Sequence, residues 1–223
     1  MTFMNIEWYV DMCKVICFSG QQRNGKDESA DYLVTKLNEW HRSSFAGDVK
    51  ATFCEMFNVD LAFVEKWKTN PEPPPGFIMN VRDSLIFIGD GFRQIQPNIW
   101  VERCFKKSKY PMIISDGRYI SELKKVRELE GINALVYREG YLNDIKNASE
   151  SQIRPIVEFY IESGIEGATA TYINNYKGDN PNYENAKLID YFIKNDSDLS
   201  SLYNKIDENL VPFIQRKVIR CQD

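Results

Sequence analysis

The chain has 223 residues, 43% of them hydrophobic, and a net charge of −4. Thirteen Phe, twelve Tyr and four Trp are enough to build a sizeable core, which excludes a chain disordered throughout. The acidic balance disfavours a protein that coats duplex nucleic acid, though it leaves room for a local basic cleft.

In chain order, residues 13–19 form a short apolar run ending at Gly20 and are predicted as a buried strand. From Lys26 the period changes: Ala30, Leu33, Val34 and Leu37 share one helical face. Residues 45–68 are predicted as helix, with Phe53, Met56, Phe57, Leu61, Phe63, Val64 and Trp67 as apolar surface. The stretch from Asn70 to Gly76 holds four prolines and must be loop. Helix resumes near Val81 and is expected to end at Ile88, broken by Gly89-Asp90-Gly91. A further helix covers Ile99 to Lys107.

Residues 111–115 are a second strand, closed by Asp116-Gly117 and followed by a helix marked by Ile120, Leu123 and Val126. Residues 132–137 and 189–193 are two more strands, and the last helix spans 198–215. The interval 139–188 is polar and rich in Asn, Tyr and Gly; it reads as a lid-like insertion or a poorly ordered excursion. Alternating strands and helices argue for an α/β sandwich around a parallel sheet.

Five cysteines (Cys13, Cys17, Cys54, Cys104, Cys221) form no CxxC pair, so a zinc site or disulfide framework is not expected and a reducing cytoplasm is. Neither a signal peptide nor a membrane span is expected. The one histidine, His41, rules out any mechanism that needs two.

The strongest chemical signal is Gly20-Gln21-Gln22-Arg23-Asn24-Gly25-Lys26, which has the Walker A spacing. Glycines admit backbone angles closed to other residues, successive N–H groups and the start of a helix hold an anion, and the lysine reaches the β- and γ-phosphates. The bare pattern would arise by chance in about one chain in fifteen of this length. Its position, after an apolar strand and at the start of an amphipathic helix, is the context the motif requires. The residue after Lys26 is Asp27, where most such loops have Ser or Thr for magnesium. Asp27 is therefore either a magnesium contact or a favourable first-turn acid.

Extended to Glu28, Ser29, Ala30 and Asp31, the loop resembles that of the phage deoxynucleoside monophosphate kinases. The family pattern is G-x-x-x-[SN]-G-K-D-[TS]-x-A-D, in which Asp27 is ordinary. Further segments agree in order: Phe45 to Lys50, Arg82 to Gly89, Arg93-x-Ile95-x-Pro97-Asn98-Ile99-Trp100, Asp116-Gly117-Arg118, Arg138, Asn147-Ala148-Ser149-Glu150, and Asp190 with Asn195-Asp196. The likeness covers about residues 13–210, apart from most of 151–187.

The resemblance implies a single P-loop NTPase domain over 1–223: a three-layer sandwich with a parallel central sheet, a helical monophosphate-binding subdomain at about 45–107 and a lid at about 139–188. It implies transfer of the ATP γ-phosphate to a deoxynucleoside monophosphate, with Mg2+. Lys26, Arg118, Arg138 and Asp116 are the expected catalytic set. Gly20, Gln21, Gln22, Arg23, Asn24, Gly25, Lys26, Asp27 and Glu28 would bind ATP. Lys50, Arg82, Arg93, Trp100 and Asp116 would bind the acceptor, and Asp27 and Asp116 the metal. The expected partners are small nucleotides, with no membrane, DNA disfavoured, and a homodimer left open; for a phage-encoded chain the compartment is the host cytoplasm. Two other readings stay open. One is a P-loop kinase acting on a modified base in phage DNA or on another small metabolite; the other is a non-catalytic nucleotide-binding protein.

Overall fold

The computed structural model describes residues 14–141 and 148–220. These form two compact units, one of residues 43–108 and one of the remainder. Elements are numbered in chain order.

The larger unit is built on a six-stranded sheet of order β2-β3-β1-β4-β6-β5. Its strands are β1 (Val15–Ser19), β2 (His41–Ser43), β3 (Met112–Gly117), β4 (Ile132–Arg138), β5 (Gly167–Ala168) and β6 (Tyr191–Asn195). β1 runs parallel to β3 and β4, and β4 parallel to β6; the short β5 pairs antiparallel with β6. The strand–helix alternation predicts this parallel α/β architecture.

Side chains alternate across the sheet, so each strand feeds two cores. On one face Ile16, Phe18, Ile113, Ala134, Val136 and Ile193 pack with Ala30 and Leu33 of α1 (Lys26–Lys36) and with Leu202, Ile206 and Ile214 of the C-terminal helices. The opposite face meets α6 (Ile120–Glu128) and α7 (Ala148–Ser163). There the Asn133 side-chain amide donates to Leu123 O at 3.0 Å, and the Tyr160 ring stacks on Phe192 at 5.3 Å between centroids. Helices on both faces make three layers.

The C-terminal helical run differs from the predicted 198–215. It consists of α10 (Leu199–Lys205), a π turn (Ile206–Leu210) and α11 (Val211–Arg220). Pro212 explains the wide turn: in a regular helix its ring would strike the Glu208 carbonyl four residues back, and it has no N–H to donate. The strand predicted at 189–193 is displaced to Tyr191–Asn195, because Asp190 turns its carboxylate inward. That carboxylate accepts from Asn133 N at 2.9 Å and Lys217 Nζ at 2.6 Å, and also from Arg127.

The interval expected as a lid or poorly ordered excursion is mostly packed structure over 148–188. α7 buries Ile153, Ile156, Val157 and Tyr160 on one face. β5, α8 (Ala170–Asn175) and α9 (Tyr183–Ala186) follow. Rings of Tyr172, Tyr176 and Tyr183 close on Phe159, and Tyr160 donates its hydroxyl to Ala186 O at 2.8 Å. Asn147 lies outside the described residues.

The smaller unit holds four helices: α2 (Gly47–Phe57), α3 (Leu61–Trp67), α4 (Val81–Ile95) and α5 (Ile99–Lys107). Its core is Val49, Phe53, Val64, Val81, Ile88 and Trp100, ringed by Phe63, Trp67, Phe77 and Phe92. Two expectations need correction. The helix predicted over 45–68 is two helices, because Asn58 enters the left-handed region at φ 50° and Asp60 caps the next helix by accepting from Phe63 N at 2.7 Å. Conversely, α4 does not break at Gly89-Asp90-Gly91. Each glycine weakens a helix by about 1 kcal/mol, which does not outweigh the packing: Gly89 is buried and its carbonyl accepts from Trp100 Nε1 at 2.9 Å. Among the described residues, no helix is long and apolar enough to cross a membrane.

Candidate active site

Because β1, β3, β4 and β6 are parallel, their carboxyl ends share one edge, at Ser19, Gly117, Arg138 and Asn195. The chain runs on from β1 to strands on one side of the sheet and from its neighbour β4 to strands on the other. Such a switch point, at the carboxyl ends of the strands, is where open α/β sheets bind ligands. The loop of residues 20–25 leaves β1 here and opens α1.

Loop shape follows from three residues in or near the left-handed region: Gly20 at φ 132°, Arg23 at 66° and Gly25 at 98°. A Cβ on Gly20 would sit 2.3 Å from the Val136 carbonyl oxygen, so only glycine fits there. Arg23 holds a conformation costly for a residue with a side chain; alternation of this kind points successive N–H groups into an anion-binding concavity. Asn195, at the end of β6, ties the loop down by donating from Nδ2 to Asn24 O at 3.1 Å.

A cleft of about 400 Å3 opens over the loop. Gln22, Arg23, Gly25, Lys26, Asp27 and Glu28 line it, as do Arg118 and Arg138; Asn195, Ser197, Asp198 and Leu199 border it from the segment after β6. Of the residues expected to bind ATP, Gln21 and Asn24 have fully buried side chains. They can offer only backbone groups to a ligand.

Lys26 is 4% exposed, and its Nζ donates to Gln21 O at 2.5 Å. Burial pushes its pKa from 10.5 down to about 7, and neighbouring Arg118 pushes the same way; Asp27, Glu150 and Asp116 partly oppose them. Asp116, in β3, is half-buried and does not line the cleft, but its charge reaches Lys26. Arg138 is exposed and lies over the Tyr141 ring at 4.6 Å.

Two anchoring acids escaped the sequence reading as site residues. Glu150, 3% exposed on α7, pairs with Arg118 Nη1 at 2.9 Å. Glu122 accepts from Arg118 N at 2.7 Å and Tyr119 N at 2.9 Å, fixing the turn that presents Arg118. Arg118 thus has both its backbone and its guanidinium held. Replacing it with leucine removes the cation facing a buried carboxylate, so a loss of about 3 kcal/mol in urea unfolding is expected. A loss below about 0.5 kcal/mol would show the pair to be ornamental. Ser115, in β3, was also missed: its hydroxyl donates to Asp27 Oδ1 at 2.6 Å.

The remaining expected residues belong to the smaller unit. Lys50 Nζ pairs with Glu65 at 2.8 Å, and Arg93 Nη1 with Asp90 at 3.1 Å. Arg82 is half-buried in the first turn of α4. Trp100 was expected at the substrate; it is instead 2% exposed in the core, with its indole N–H bonded to Gly89, and presents no face for a base to stack on.

No protein-family model matches the chain, and no curated protein matches it in sequence. Among solved structures it is similar to shikimate kinase from Bacteroides thetaiotaomicron, at 10% identity and a TM-score of 0.37, covering 89% of this chain and 98% of that one. It is also similar to TT1252 from Thermus thermophilus (13%, 0.42, covering 93% and 98%) and to dephospho-CoA kinase from Campylobacter jejuni (12%, 0.40, covering 92% and 98%). At these values the similarities assign this chain neither an activity nor a substrate.

Proposed function

We propose that this chain is an ATP-dependent kinase of the P-loop type, and that its acceptor is a deoxynucleoside monophosphate. The observation that carries the reading is one cleft that gathers the glycine loop, Lys26, Arg118 and Arg138 at the carboxyl edge of a parallel sheet. Phosphoryl transfer needs positioning and positive charge more than acid–base chemistry. The acceptor phosphate oxygen is already anionic. It forms the new bond to the γ-phosphorus as the bond to the β–γ bridging oxygen breaks, and ADP leaves with that electron pair. No base is required, in keeping with the single His41.

In this reading the loop N–H groups and Lys26 hold the β- and γ-phosphates. Arg118, fixed by Glu150 and Glu122, faces the transferring group, and exposed Arg138 closes over it. Magnesium, when bound, neutralises phosphate charge. The donor set suits it: Asp27, 76% exposed, lines the cleft, and Asp116, outside that lining and next to last in β3, still has its charge felt at Lys26. The described residues form no cluster of three or more His, Cys, Asp or Glu able to hold a metal. That fits an ion held by one or two carboxylates together with the substrate's phosphates.

The deoxynucleotide acceptor rests on the sequence resemblance. Unit 43–108 is the proposed monophosphate-binding subdomain. Arg82 and Arg93 stand 11 residues apart on α4, about three turns, on one face, and each is a candidate for the acceptor phosphate. Lys50 is a third candidate. A panel tests the reading: ATP and Mg2+ with each deoxynucleoside monophosphate, a modified dUMP analogue, shikimate and a DNA duplex, following ADP release and acceptor phosphorylation. ADP release with at least one deoxynucleoside monophosphate is expected. Release only with another acceptor would correct the acceptor; release with none would remove the kinase.

A further inference from the structure

In most phosphate loops a Ser or Thr follows the lysine and its hydroxyl holds magnesium, while the carboxylate stands on a neighbouring strand. Here Asp27 follows Lys26, and a buried hydroxyl stands on the strand, at Ser115. The two are joined at 2.6 Å, Ser115 Oγ donating to Asp27 Oδ1. A register slip produces this alignment. Cys17 pairs with Ile114 but Ser19 with Gly117, so β3 carries an extra residue at Ser115-Asp116. A bulge of this kind re-aims the side chains beside it.

Asp27 is held by one of its oxygens. Arg42 Nη2 approaches the same Oδ1, at 3.5 Å. Among the described residues Oδ2 takes no hydrogen bond, and the side chain is 76% exposed in the cleft. Ser115 is 3% exposed and gives its hydroxyl proton to Asp27.

We propose that Ser115 is a positioning residue that sets Asp27 as a cation-facing carboxylate, and that nucleotide binding is thereby coupled to a divalent cation more strongly than where Ser or Thr follows the lysine. The proposal rests on the kinase reading of the cleft. Its physical basis is the charge at residue 27. Without a cation, a carboxylate in the first turn of α1 repels the phosphates that Lys26, Arg118 and Arg138 attract. With a cation between them, the same carboxylate becomes an attractive ligand. A serine at this position would hold the cation only through a neutral hydroxyl and would not repel the phosphates in its absence.

The test is calorimetric titration of ATP into the intact protein, in Mg2+ and in EDTA, for wild type, Asp27→Ser, Ser115→Ala and Ser115→Thr, with thermal unfolding of each as the folding control. Asp27→Ser is expected to shrink the ratio of magnesium-bound to metal-free affinity about tenfold, chiefly by tightening metal-free binding. Ser115→Ala is expected to weaken binding about fivefold in Mg2+ and to leave metal-free binding within about twofold; Ser115→Thr restores it. A ratio unmoved in Asp27→Ser overturns the proposal, as does equal weakening in both media by Ser115→Ala without rescue by threonine. ATP binding by none of the folded proteins in either medium removes the nucleotide reading itself, a failure distinct from an unmoved ratio.

Discussion

Lys26→Ala is expected to lower phosphoryl transfer about 10²–10³-fold while the protein stays folded. The magnitude is that of removing one preorganised charge aimed at a transferring group. The fold survives because a buried ammonium is itself unfavourable; burial brings its pKa down to about 7. The linkage has a definite sign. Below pH 7 both folded and unfolded lysine are protonated and the burial penalty is fully present. Between about 7 and 10.5 the unfolded chain binds the extra proton, so stability rises with pH. Urea unfolding should show wild type gaining about 2 kcal/mol over Lys26→Ala between pH 7.5 and 9.5. Bound phosphate favours the ammonium, so ATP should bind with proton uptake near pH 8. Unchanged turnover in the variant would remove the lysine from the mechanism, and parallel stability curves would contradict its burial.

Gly20→Ala should be the most damaging single-atom change to the loop. The new Cβ would meet a backbone oxygen of β4 at 2.3 Å, at a φ of 132°. Neither the strand nor the loop can yield without breaking sheet pairing, so a cost of about 3–5 kcal/mol is expected. For a chain of this size that lowers the melting temperature by about 10 °C. Gly76→Ala is the control. It shares a positive φ, 84°, but a Cβ there meets nothing within 4 Å, so only the backbone cost of about 1 kcal/mol remains. Calorimetric melting of both variants checks the comparison; equal losses would mean that the contact with Val136 is unimportant.

The loop at 20–26 was legible because its pattern is local: an apolar strand, two glycines, a lysine and an amphipathic helix in immediate succession; the hold of Asn195 on Asn24, from 171 residues away, was not. Arg118 and Arg138 were named from the family resemblance. What positions them was not legible. Glu150 lies 32 residues from Arg118, Ser115 lies 88 from Asp27, and no periodicity links such pairs. The packed segment after residue 147 is a different kind of miss. Ile153, Ile156, Val157 and Tyr160 stand at i, i+3, i+4 and i+7, an ordinary helical face, but Pro155 and the polar surroundings concealed it. α4 shows the converse. Glycine punctuation predicted a break that tertiary packing on Trp100 overrides. That same tryptophan was expected to bind the acceptor because aromatic residues at sites and in cores look alike in sequence.

The most direct measurement follows γ-radiolabelled ATP incubated with the protein, Mg2+ and each deoxynucleoside monophosphate, the products being separated. Label is expected in a deoxynucleoside diphosphate and is lost in Lys26→Ala. Label released only as inorganic phosphate, or retained wholly in ATP with every acceptor, would contradict it.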